Sequence, residues 1–168
     1  GDFYNSYMDV ASIDAAGMQP LRPELGRIGA IASLGDLAEY LGRYTLVTGD
    51  LALLSIVPST DRADTTKTVF YVVGGKLGLL QGSLYEEEDD SPRIQAYLAF
   101  LRDSLGVAGL APGDAKRLAD LTLDMERSLL AAQITPVEAV DPRNSYDPRP
   151  FSALQAEIPA LDLNRLMK

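Results

Sequence analysis

Residues 111–133, APGDAKRLADLTLDMERSLLAAQ, decide how this chain is read. Ala115, Leu118, Leu121, Thr122, Met125 and Leu129 recur at three- and four-residue steps, the spacing that lines up side chains on one face of an α-helix. Lys116, Arg117, Asp120, Asp124 and Arg127 fall largely outside that face. Pro112 suits a first helical turn, where its missing N–H costs nothing. The expected element is a helix from about Pro112 to Gln133, the strongest in the chain. An apolar face of that length has to be covered by another layer.

The segment just before it, across the GLAPGD turn at 109–114, is also expected to be a helix. Ser91 ahead of Pro92 is a helix start, and Ile94, Tyr97, Leu98, Leu101 and Leu105 form a stripe that closes at Gly106. On the other side lie Thr135 and Pro136, then DPRNSYDPRPFSALQ at 141–155. Proline lacks a donor and pushes the residue before it out of the helical region, so Pro142, Pro148 and Pro150 forbid a helix through them. An extended surface connection is expected there, followed by a closing helical region from about Phe151 to Met167.

Towards the N-terminus, DFYNSYMDVASIDAAG reads as one helix ending at Gly17, with Tyr4, Tyr7, Met8 and Ala11 on its apolar face and Phe3 and Val10 widening it. MQPLRPELGRIGAIAS follows as a second, with Pro23 in its first turn and Leu25, Ile28 and Ile31 or Ala32 along one side. Ser33 with Asp36 three residues on is a carboxylate version of the capping box, and Leu37, Tyr40, Leu41 and Tyr44 are the expected buried stripe of the third helix. LALLSIV from residue 51 and TVFYVV up to 73 are short β-branched and aromatic runs around the polar PSTDRADTTK, so a hairpin with a long loop is expected. Two strands alone are marginal in water and have to lie on helices. The fold class expected is mainly α, a helical lid or cap with a small β-hairpin, in a single domain over 1–168.

Composition limits the chemistry. The 168 residues suffice to bury about 70% of the surface that the unfolded chain exposes. The net charge of −9 repels phosphate backbones, and no basic face offsets it, so nucleic acid is not an expected partner. No apolar run reaches membrane-spanning length and no basic-then-apolar leader precedes the first segment. The chain begins at Gly1, as an excised segment would. Zero cysteines exclude disulfides and thiolate sites and fit a reducing compartment, the cytoplasm ahead of an extracytoplasmic bacterial location. Zero histidines exclude a Ser-His-Asp triad and an H-E-x-x-H zinc helix within these residues.

The remaining candidates read as structure. Gly74, Gly75, Lys76, Leu77 and Gly78 lack the spacing of a phosphate loop and suit a turn. Asp61, Asp64 and the acidic run 86–90 lack the calcium-loop pattern and suit solvated turns. Asp120 with Asp124, and Asp124 with Ser128, lie one helical turn apart on an expected exposed face. Tyr4, Tyr7, Tyr40 and Tyr44 could line a peptide groove, with half-buried packing as the plainer reading. No catalytic, cofactor-binding or metal-ligating residue is assigned.

The order of motifs carries more than any one of them. FYNSYMDVASIDAAGMQPLRPELGRIGAI resembles a stretch of the neprilysin and endothelin-converting-enzyme family of zinc metallopeptidases, on Tyr4, Ser6, Met8, Asp9, Ile13, Gly17, Pro20 and Leu21. KLGLLQGSLY is similar to that family's glycine-leucine segment ending in a tyrosine, and AAQITPVEAVDPRNSYDPRPFSALQAEIPALDLNRLM to its segment with an Asp-Pro, a tyrosine and a terminal helix. The chain departs from the family at Ala139 and Val140, where basic residues are common, at Asp147, where asparagine is frequent, and at Leu163, where tryptophan is frequent.

The resemblance implies one piece of a longer, two-domain endopeptidase. Its zinc helix, third glutamate ligand and Asn-Ala-Tyr substrate clamp would all lie downstream. The piece implied is the helical non-catalytic domain that covers the catalytic domain, encloses a chamber and limits substrates to oligopeptides; zinc would belong to the parent and not to this fragment, which should be inactive. The catalytic domain of the same polypeptide and oligopeptide substrates are the partners implied. The alternative is an autonomous helical interaction module with no enzymatic parent.

Overall fold

The computed structural model describes residues 1–49, 53–79, 81–135 and 137–167. Leu51 and Ala52, where the first strand is expected to begin, and Pro136 lie outside the described residues. In chain order the helices are α1 (Asp2–Met8), α2 (Val10–Ala16), α3 (Arg22–Gly29), α4 (Leu34–Thr48), α5 (Pro92–Val107), α6 (Pro112–Ala132), α7 (Phe151–Glu157) and α8 (Leu163–Leu166). Strands β1 (Leu54–Thr60) and β2 (Thr68–Gly74) lie between α4 and α5 and pair antiparallel from Leu54 opposite Gly74 to Thr60 opposite Thr68. The mainly helical class with one hairpin is as expected.

Two hydrophobic clusters organise the chain. In the first, Tyr85 from a 3-10 turn (Gly82–Glu86) packs with Ile94 and Leu98 of α5 and Ala119 and Leu123 of α6. Ser91 caps α5 by accepting from the Ile94 amide at 3.2 Å, and Gly109, at φ +98°, makes the turn into α6. In the second, Ala38 and Leu41 of α4 pack with Leu166 of α8, flanked by Leu37, Leu54, Ile56 and Leu161. Ser33 caps α4 through the Asp36 amide at 3.1 Å, while the Asp36 carboxylate reaches back to the Ala32 amide at 3.3 Å. Fully burying Ile94 and Leu163 contributes about 2 to 3 kcal/mol each.

Four expectations change. The face that α6 buries is Ala115, Ala119, Leu123 and Glu126, with Leu121 and Met125 about half exposed. Small Ala115 and Ala119 let α6 come close to its neighbours, and counting large apolar residues turns the helix the wrong way. The first helix is two helices, broken at Asp9 (φ −82°, ψ 72°), because the Asp9 carboxylate accepts from the Ser12 amide at 3.1 Å and hydroxyl at 2.7 Å and so caps α2. Neither helix buries a residue, so Tyr4 and Tyr7 are exposed.

The hairpin loop is shorter than PSTDRADTTK, because Pro58, Ser59 and Thr60 extend β1, with Pro58 opposite Phe70. Proline is tolerated there because a two-stranded sheet consists only of edges. The closing helical region divides into α7 and α8. Pro159 cannot continue α7, and Asp162 restarts the helix by accepting from the Asn164 and Arg165 amides. The connection before α7 also holds two short 3-10 turns, Glu138–Val140 and Pro142–Asn144.

Candidate functional site

The most elaborate polar arrangement is centred on Glu126, a residue that the sequence reading passed over. It is 7% exposed, and its carboxylate accepts from the Gly78 amide at 2.8 Å, the Tyr97 hydroxyl at 2.8 Å and the Tyr85 hydroxyl at 3.1 Å. Three elements thus donate to one acceptor on α6. The Tyr85 hydroxyl oxygen also accepts from the Leu79 amide at 2.8 Å. Next in sequence, Arg127 donates to the carbonyls of Tyr85 and Glu87 at 2.9 Å each and pairs with Asp89 at 2.6 Å.

This geometry gives the glycine-rich segment its reason. An added Cβ on Gly78 would overlap the Tyr97 hydroxyl and lie 2.9 Å from Glu126 Oε1. The segment is therefore a close-approach turn docked on α6. Burial and the neighbouring Glu126 push the Tyr97 hydroxyl well above the ordinary tyrosine range, and the same two causes raise that of Tyr85. Neutral hydroxyls pointing at a carboxylate make a register pin between helices, because every acceptor site in use has a donor.

A second concave region lies between β2 and the proline-rich connection. It is a cleft of about 720 Å³ whose walls include Val69, Tyr71, Tyr146, Pro148, Phe151 and Leu154. The connection is tied to the hairpin end by the Tyr146 hydroxyl, which donates to Asp61 at 2.7 Å, and by Arg62, which donates to the Ser145 hydroxyl at 2.9 Å. Arg62 also lies over the Tyr71 ring, 5.9 Å from its centroid. The bond from the Ala63 amide, and then the one from Tyr146, hold the Asp61 carboxyl below the usual aspartate range. Among the residues lining the cleft, Arg149 pairs with Asp147 at 2.5 Å and with Glu157.

The other sequence candidates are engaged with local partners. Asp64 accepts from Thr66 and pairs with Lys67 at 2.9 Å. In the acidic run Glu87 pairs with Arg93 at 2.7 Å. Asp120 pairs with Lys116 at 2.6 Å and Arg102 at 3.3 Å, whereas the Ser128 hydroxyl donates to the Asp124 backbone carbonyl. Tyr40 and Tyr44 are half-buried with ring centroids 6.2 Å apart. Among the described residues no three or more His, Cys, Asp or Glu side chains are grouped as a metal ion would need. No helix of the described chain is long and apolar enough to cross a membrane. What the arrangement does chemically is to fix elements against one another.

Comparison with known proteins places this scaffold. A search of curated proteins returns no match. The inhibitor-bound crystal structure of the zinc metalloprotease Zmp1 of Mycobacterium tuberculosis superposes with a TM-score of 0.86 at 28% identity, covering 99% of this chain and 25% of that one. The electron cryomicroscopy structure of the same protease in its open state gives 0.84 at 28% identity, covering 99% and 26%. The chain thus spans about a quarter of the length of those proteins. The sequence model for the N-terminal part of peptidase family M13 matches residues 1–168. With the match running from end to end and both solved structures being zinc metalloproteases, this chain belongs to peptidase family M13, the neprilysin-type zinc metallopeptidases.

Proposed function

We propose that these residues are the non-catalytic helical domain of a zinc endopeptidase that cleaves oligopeptides, and that they enclose its substrate chamber and limit the size of what enters. The observation that carries this is the match of the whole chain to the N-terminal model of family M13. A domain in this role needs rigidity, and the Glu126 pin and the capped helices supply it. Zinc, when bound in the other domain, would polarise the scissile carbonyl and activate water. The chain's own part is to exclude bulky substrates and to hold the chamber wall in place. Family membership leaves the reading as a module with no enzymatic parent without support.

The test compares this segment with the full-length gene product on a short peptide and on the same sequence embedded in a folded protein. The full-length product should cleave the free peptide in a chelator-sensitive manner and spare the folded protein, and the segment alone should cleave neither and hold no stoichiometric zinc. Zinc-dependent hydrolysis by the segment, or equal cleavage of both substrates by the full-length product, would falsify the proposal.

A further inference from the structure

The hairpin has one edge that nothing pairs. The Asp61 amide donates to the Lys67 carbonyl at 3.0 Å and the Gly75 amide to the Leu53 carbonyl at 2.9 Å, and both bonds continue the register of β1 and β2. Bonded and non-bonded pairs alternate along an antiparallel ladder, so the bonded pairs include Val57 with Tyr71 and Ser59 with Val69. Phe70 and Val72 fall in the alternate positions and turn their amides and carbonyls away from β1. Among the described residues nothing bonds to these amides and carbonyls. The outer side of β1 is different: Pro58 has no N–H to offer, and Leu54 and Ile56 pack against the cluster of α4 and α8.

That open edge fronts the cleft of about 720 Å³, a size within the range of ligand sites. Val69, Phe70, Tyr71 and Val72 line it in unbroken succession. Successive side chains of a strand point to opposite faces, so a cavity on one face would take every second residue, and a cavity lined by four in a row runs along the edge. The other wall is the connection at 144–149, held to the hairpin end by Tyr146 and Arg62. It does not fill the edge itself: among the described residues no backbone bond crosses between the walls, and Pro148 has no donor. A helix spends its backbone groups internally and could not pair with β2. A second copy would bring its own connection into the same slot. An extended chain is what fits. Its charge follows from Asp61, Asp147 and Glu157, which line the cleft with the guanidinium of Arg149 and, beside it, that of Arg62, and leave it acidic.

We propose that the cleft binds an extended cationic oligopeptide segment, which adds to β2 as a third strand through the amides and carbonyls of Phe70 and Val72. The apolar lining from Tyr71, Phe151 and Leu154 receives its uncharged side chains, and the carboxylates receive its lysines or arginines. The proposal concerns binding alone and stands whether or not the chain walls a chamber.

Fluorescence anisotropy on the full-length gene product, with its zinc centre blocked by a hydroxamate inhibitor, tests this. The probe is a labelled peptide that alternates lysine and valine and matches the 7 residues of β2 in length. It should bind saturably, and methylation of its backbone nitrogens, which removes the donors and keeps the side chains, should weaken binding by at least about tenfold. Replacing its lysines by glutamate should do the same. Phe70→Pro takes an amide off the edge directly opposite Pro58, where proline is already accommodated, and should weaken binding likewise. Should that variant fail to fold, a photoreactive copy of the peptide locates the site without it, by attaching within 69–72 or 144–157. Absence of binding would overturn the proposal, by showing that other residues of the polypeptide or a second copy already occupy the edge. Equal affinity of the methylated peptide, or attachment elsewhere, would overturn the added strand; equal affinity of the glutamate peptide would overturn the cationic occupant.

Discussion

Glu126 Oε1 accepts a 2.8 Å hydrogen bond from the amide of Gly78, across 48 residues of chain, and this bond fixes where the hairpin's exit segment lies on α6. The same carboxylate accepts from the hydroxyls of Tyr85 and Tyr97, so its removal leaves three donors unmatched, that of buried Tyr85 among them. Glu126→Ala should destabilise the fold by about 3 kcal/mol. Glu126→Gln, which keeps the volume but turns an acceptor into a donor, should cost about half of that. Urea unfolding of the three proteins checks the order, and equal midpoints would remove Glu126 from the architecture.

Alkaline pH should act on the same cluster. The Tyr97 hydroxyl titrates above its unfolded value of 10.0 in the fold, because burial and Glu126 disfavour its anion. Between those values the unfolded chain has lost a proton that the folded chain keeps, so stability is complete below pH 10 and falls as pH rises beyond it. Thermal melts from pH 8 to 11 should show this fall, and Tyr97→Phe should flatten it. A slope unchanged in the variant would assign the loss to other groups.

Much of this fold was legible in the sequence. The caps at Ser33 and Ser91 are local, and a hydroxyl three residues ahead of its amide is visible in the letters. The stripe of α5 was legible because its large apolar residues are also the ones that pack. The face of α6 was not, since Ala119 carries little hydrophobic signal and Glu126 carries the wrong sign. No local pattern announces that two tyrosines and a glycine amide far apart in sequence will need one acceptor. The opening helices misled in the other direction: their apolar spacing is real, but the side chains that carry it are exposed.

The tie between connection and hairpin gives a titration prediction. Asp61 is held below its usual value of 3.8 by the Ala63 amide and then by the Tyr146 hydroxyl. A depressed carboxyl contributes stability above the usual value and loses it as pH falls through the folded one. Tyr146→Phe should bring the Asp61 pKa, followed by carboxyl carbon NMR, back towards 3.8 and should speed proteolytic nicking between 141 and 150 at neutral pH. An unmoved Asp61 titration would show that the bond contributes nothing to holding the connection.

The contact between α4 and α8 yields the sharpest substitution. Gly42 faces the backbone of α8 so closely that an added Cβ would overlap the Leu166 carbonyl oxygen and lie 2.8 Å from its carbonyl carbon. In an open helix interior, Gly→Ala is favourable by about 1 kcal/mol, since alanine restricts the unfolded chain and glycine does not. Here the clash is with backbone, which cannot rotate away as a side chain can. The methyl has to push α8 off, and with it Leu166 and fully buried Leu163. The net effect of Gly42→Ala should therefore be destabilising by about 2 kcal/mol. Gly26→Ala on α3, where nothing lies within 4 Å of the new Cβ, should be neutral or stabilising. Circular dichroism melts of the two variants separate the terms, and a stabilised Gly42→Ala would mean that α8 does not pack on α4 at this distance.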